Sequence, residues 1–223
     1  MQASTAKCSR YGHPEFVLTC SDECAFDVPW LVDLLERQVA SGSTFREGQT
    51  LQLGWSVLRF EADPAGNLHL LELDLSGKPG KFDRSVTRTL LALRLQKSVL
   101  ESLGIQDQLL FPSLLQTALR CRRFGKTSQP MLIRSEPTAE DSGWFFGCRE
   151  ESHSHDDPNE LEGGVLHELA SEQPILIEYL AMPTGSMILL DARHRYLSAC
   201  DGDDVEHKVL PGSYLALKYP PQR

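Results

Sequence analysis

No run of about 18 apolar residues occurs in this 223-residue chain, so no segment reads as a membrane-crossing helix. Behind Lys7 and Arg10 there is no apolar stretch of the kind a secretory signal needs, and the expected location is the cytoplasm. The six cysteines, at 8, 20, 24, 121, 148 and 200, contain no C-x-x-C pair. Cys20 and Cys24 make a lone C-x3-C without a second half, and reduced thiols in a cytosolic fold account for the set. Enzyme signatures are missing too: there is no G-x-S-x-G elbow, no G-x-x-x-x-G-K-[ST] loop, no G-x-G-x-x-G after a strand and no H-E-x-x-H helix. His167-Glu168 comes nearest, but position 171 is Ser171 and not a second histidine. Cys148 beside Arg149 reads as a small buried hydrophobe, because the acids that follow oppose a thiolate. Glu150 and Glu151 are neighbours that point apart on a strand, a poor acid–base pair. The expectation is a protein that is not an enzyme and carries no cofactor.

What the chain does have is concentrated negative charge. The net charge is −9. From Glu136 to Glu178 twelve Asp and Glu stand against Arg149 alone, a local −11 that exceeds the whole. Such a stretch repels nucleic-acid phosphate and anionic lipid and attracts a basic protein, so neither a nucleic acid nor a membrane is an expected partner. A solvated face that only keeps the protein in solution is the plainer account of an acidic run.

Hydrophobic residues make up 41% and charged residues 24% of the chain, ordinary values for a folded domain, and the length suffices for two small cores. The pattern has two blocks. In the first, EFVLTC (15–20) reads as a strand, and Trp30, Leu31, Leu34, Leu35 and Val39 recur at helical spacing with Asp27 placed to cap and Pro29 in the first turn. LQLGWSVLRFEA and NLHLLELDL flank DPAGN as a hairpin. SVTRTLLALRLQKSVLESLG reads as a buried helix ended by Gly104. In the second block TALRCRRF, PMLIRSE, SMILLDARHRYLSAC and SYLALKYP read as strands, EDSGWFFGC and the acidic loop follow the first two, GVLHEL reads as a strand or short helix, and QPILIEYLAMP as a short helix stopped by Pro183. The fold class expected is α+β, with two small domains at 1–112 and 113–223, each a mostly antiparallel sheet packed with one or two helices. Gly104, Gln106, Asp107 and Pro112 mark the expected linker.

SHSHDDPNE (152–160) invites a metal reading, because His153, His155 and Asp157 fill the first three places of the H-x-H-x-D-H run of metallo-β-lactamase-like hydrolases. Pro158 stands where the last histidine belongs, and a metal would need a distant partner such as His167, His194 or His207. A polar, proline-broken surface loop explains the same residues, so His153 and His155 are expected at the surface and no metal is expected. A metal-dependent hydrolase using His153, His155 and Asp157 is the alternative function, and a plain structural module the third.

TALRC from Thr117, DSGWFFGC from Asp141 with acids behind it, DDPNEL from Asp156 and ILIEYLAMPTGS from Ile175 together resemble, in this order, the immunity protein 33-like family of bacteria. The resemblance covers about 113 to 210. HPEF (13–16), GSTFREGQTLQLGW (42–55) and LQKSV (95–99) are similar to the segment that precedes this domain in related chains. It implies a cytosolic antidote that binds and neutralises a cognate toxin, an effector delivered by a secretion system or by contact. Read with the charge, the toxin is expected to be basic. The candidate contacts are Asp141, Trp144, Glu150, Glu151, Asp156, Asp157 and Glu160. For Trp144 the turn chemistry of Asp141-Ser142-Gly143 argues first for a side chain aimed into the core.

Overall fold

Residues 1–75, 80–150 and 153–220 are described by the computed structural model. Backbone proximity divides the chain into two compact units, Met1–Leu93 and Arg94–Arg223, the division falling inside the long helix α2 (Thr87–Ser102). Each unit contains a mixed sheet with helices, an α+β fold.

The first unit contains β1 (Gln2–Ser4), β2 (Phe16–Thr19), α1 (Val28–Ala40), β3 (Thr50–Leu53), β4 (Ser56–Ala62), β5 (Leu68–Leu73), β6 (Phe82–Asp83) and the start of α2. Its strands run in the order β1-β2-β5-β4-β3, with β6 also on β5. Only β2 and β5 pair in parallel among the described strands of this sheet. The DPAGN turn forms as expected, with Asp63 Oδ1 accepting from the backbone N–H groups of Ala65 and Asn67, both at 2.9 Å. LQLGWSVLRFEA, expected as one strand, is two: Gly54, at φ 61°, opens a two-residue turn that pairs Leu53 with Ser56. Phe16, Leu18, Leu31, Leu35, Leu58, Phe60 and Leu70 fill the core between sheet and helix.

The second unit contains the rest of α2, then β7 (Thr117–Cys121), β8 (Pro130–Arg134), β9 (Asp141–Cys148), β10 (Leu161–Val165), α3 (Leu166–Glu172), β11 (Met187–Asp191), β12 (Tyr196–Cys200) and α4 (Tyr214–Lys218). The order is β10-β7-β9-β8-β11-β12, and β7–β9 is the parallel pair in a sheet whose other described pairs are antiparallel. GVLHEL divides, Val165 closing β10 and Leu166 opening α3. SYLALKYP, expected as a strand, is helix α4. Ser213 Oγ caps it by accepting from Ala216 N at 3.4 Å, and Leu215 N donates to Ser102 Oγ at 3.1 Å. The cap and the helix-forming Leu-Ala-Leu-Lys outweigh the alternation that suggested a strand. α2 ends at Gly104, in the left-handed region at φ 71°. Within the segment that follows, Leu110 N donates to Ala181 O at 3.0 Å. Among the described residues no helix is long and apolar enough to cross a membrane.

Candidate functional site

The candidate residues hang on β9. Along it Ser142, Trp144, Phe146 and Cys148 are buried while Asp141, Gly143 and Phe145 are only partly covered, the period of two that a strand imposes. Trp144 is 1% exposed, lies nearly parallel to Phe146 with centroids 5.8 Å apart, and donates from Nε1 to Leu180 O at 3.3 Å. It is a core residue in this fold, as the turn chemistry suggests.

At the start of β9, Asp141 folds its carboxylate back on its own turn. Oδ1 accepts from Gly143 N at 2.7 Å and Oδ2 from Thr117 Oγ1 at 3.1 Å. The acids of the other group lie past Cys148, roughly 23 Å away along an eight-residue strand at ~3.3 Å per residue. Asp141 therefore does not share a patch with Glu150, Asp156, Asp157 and Glu160.

Past Cys148 the charges sort into paired and unpaired. Glu150 meets Arg123 at 3.3 Å. Asp157 Oδ1 accepts from Asn159 N and Nδ2, both at 2.9 Å, capping the 3-10 turn Pro158–Glu160. Asp156 Oδ2 accepts from Ser154 Oγ at 3.2 Å. Both aspartates are exposed, and neither meets a Lys or Arg among the described residues. Glu151 lies outside the described residues. Elsewhere in the acidic stretch Glu162 and Glu172 share Arg120, and Glu178 is buried against Lys218 and Tyr214. The charge offered to a partner is thus weaker than −11, and beyond Cys148 its exposed carboxylates without a cationic partner among the described residues include Asp156 and Asp157.

The histidines are not where the sequence reading places them. The His153 side chain is only 1% exposed, so it is no surface residue. Its Nδ1 lies 3.8 Å from Glu160 Oε2, and its Nε2 is buried without a hydrogen-bond partner among the described residues. The His155 ring packs edge-on against it, centroids 4.8 Å apart at 81°. His155 Nε2 accepts from Cys148 N at 3.4 Å and lies 3.9 Å from Cys148 Sγ. Burial and the neighbouring His153 lower the His155 pKa, favouring the neutral ring. Gly147 makes the room, since a Cβ there would come within 2.7 Å of Phe145 Cε1 and 3.1 Å of His155 Cε1. Cys121, at the end of β7, completes the group: the ligand atoms of Cys121, Cys148, His153 and His155 all lie within 4.8 Å of one another. Burial is the first cause that pushes the Cys121 thiol up, with Cys148 adding to it. Asp157, bonded to Asn159, is no member of this cluster. The signal in the sequence is C-x4-H-x-H from Cys148 to His155, with Cys121 on the parallel neighbour strand.

With this geometry in hand, comparison with known families is decisive for one stretch. Residues 95–199 match the model of the Imm33-like domain. The C-terminal half is an Imm33-like domain. That assignment covers β7 to the end of β11 and most of β12, and so contains every candidate residue named above. The family is one named for immunity proteins, and nothing among the described residues favours a hydrolase built on His153, His155 and Asp157. No curated protein and no solved structure matches the chain.

Proposed function

We propose that this protein is a cytoplasmic immunity protein that binds and neutralises a cognate toxin, and that it acts by binding and not by catalysis. The observation that carries the reading is the Imm33-like domain over residues 95–199. The contact proposed is the acidic end of that domain, where Asp156 and Asp157 stand exposed with no cationic partner among the described residues. A basic surface on the toxin complements them, each carboxylate accepting from Arg or Lys. Glu150 and Glu160 are rim residues in this reading, since each already faces a group of its own chain.

The test is the double reversal Asp156→Lys and Asp157→Lys, with Glu160 left intact because of its position beside His153. Reversed rim charges change the association rate and its salt dependence, and a desolvated carboxylate costs about 2 to 5 kcal/mol when removed. The expected outcome is a folded protein with at least a tenfold loss of affinity for the toxin encoded beside it, and loss of protection in cells producing that toxin. Wild-type affinity and full protection would place the interface elsewhere.

A further inference from the structure

We propose that Cys121, Cys148, His153 and His155 form a structural zinc site that ties the segment after β9 to the end of the sheet. Four nitrogen and sulfur donors from three separate stretches of chain converge within 4.8 Å. A tetrahedral zinc with Zn–S near 2.3 Å and Zn–N near 2.05 Å requires donor–donor separations of about 3.3 to 3.8 Å. The 3.9 Å between His155 Nε2 and Cys148 Sγ is already close to that edge, and the widest pair must close by roughly 1 Å.

Two further observations point to a ligand and not to mere packing. His153 Nε2 is a buried polar atom without a hydrogen-bond partner among the described residues, an arrangement that costs free energy unless something takes its lone pair. Its other nitrogen, Nδ1, faces the Glu160 carboxylate at 3.8 Å, beyond hydrogen-bond reach but on the side from which a carboxylate can orient a metal-bound imidazole once the two close up. His155 turns Nε2 toward the thiols, 3.9 Å from Cys148 Sγ, and its lone pair there accepts only a long bond from Cys148 N, at 3.4 Å, which zinc would replace.

The donor set decides the metal and its role. Two thiolates and two neutral imidazoles in a compact S2N2 arrangement suit zinc. Binding releases the two thiol protons, and the resulting site has no net charge, which suits its buried position. All four positions are filled by protein, leaving none for water or substrate, so the site is structural. It holds whether or not the acidic segment meets a toxin.

The experiment uses the full chain, expressed with zinc in the medium and purified under reducing conditions. Metal analysis after dialysis should find one zinc per chain, and chelation should lower the thermal midpoint by about 5 °C or more, restored by zinc alone. Cobalt added to the stripped protein should give thiolate-to-cobalt charge-transfer absorption and the strong visible bands of a tetrahedral ion. Cys148→Ser and His153→Ala should abolish stoichiometric zinc, whereas Asp157→Asn should leave it unchanged. Should these variants fail to fold, the wild-type chelation and cobalt measurements still decide. Reduced wild-type protein that retains no zinc and gives no thiolate–cobalt band overturns the proposal. So does recovery of a Cys121–Cys148 disulfide that persists under reduction, or loss of metal in Asp157→Asn.

Discussion

Arg134 is a charged side chain sealed inside the Imm33-like domain, 1% exposed with no carboxylate bonded to it among the described residues. Its Nη1 donates instead to main-chain carbonyls, Leu110 O at 2.5 Å and Leu180 O at 3.0 Å, and also to Met182 O. Its guanidinium lies 5.4 Å from the Trp144 ring. Burial lowers its pKa to about 10, still well above neutrality, so the group is a cation solvated by backbone. Replacing it with Met keeps most of the volume and removes the donors. Leu180 O retains the Trp144 indole, whereas Leu110 O and Met182 O lose the Arg134 donor. Two orphaned buried acceptors cost about 1 to 3 kcal/mol each. Relief of the desolvation cost of the buried cation offsets part of this, so the net loss is about 2 kcal/mol and not the larger figure that bond counting suggests. The assay is urea unfolding of Arg134→Met, with hydrogen exchange of the peptide spanning 105–113. Stability should fall by about that amount, and this peptide should lose protection first, because Leu110 is held by Arg134 and by the Leu110 N to Ala181 O bond. A variant as stable as the wild type, with 105–113 still protected, would refute the idea that the guanidinium holds this segment in place.

Two further outcomes follow from single positions. Gly143 sits at φ 75° with an ideal Cβ 2.2 Å from Ser135 O, so Gly143→Ala should cost about 2 kcal/mol or more, read as a thermal midpoint lower by at least ~4 °C. The Glu15 carboxyl is pushed up by burial but more strongly down by donors on Thr5, Ser9 and Cys8, and its pKa falls from 4.5 to about 2. Because the folded value is the lower one, its stabilisation is complete above the unfolded value and is lost as pH falls from there through about 2. Acid unfolding of Glu15→Gln should lack that part of the pH dependence, and an unchanged acid limb would sink the assignment.

Elements with strong periodicity and a built-in stop were legible in the sequence. Helices α1 and α2 carry apolar residues at helical spacing, and α2 ends on a glycine in the left-handed region, so local rules and tertiary packing agree. The errors lie where two local signals compete. Gly54 interrupts a run that alternates well on both sides, and only pairing of Leu53 with Ser56 shows it as a turn. In SYLALKYP five residues suffice for a helix once Ser213 caps it and Ser102 takes the Leu215 N–H, and the second of these partners is 113 residues away in sequence.

The cluster at the end of β9 was legible only in part, and the reason is topological. His153 and His155 invite comparison with a run in which each ligand is supplied nearby, and that comparison looks for histidine and aspartate. The fold draws its sulfur donors instead from the ends of two strands. Cys121 comes within reach because β7 and β9 pair in parallel, bringing Arg120 opposite Phe146, so that both strands end side by side. A parallel pair needs a crossover, here through the intervening β8, and such a crossover leaves no mark in the spacing of the ligands. The same geometry settles Asp157: a proline at 158 starts a 3-10 turn, the turn needs an N-cap, and the carboxylate that might have been a third ligand is used there. Charge alone was a poor guide for the same reason. Arg120 on β7 and Lys218 on α4, distant in sequence, absorb Glu162, Glu172 and Glu178, while Asp156 and Asp157 near the cluster face solvent with a serine and an asparagine as neighbours.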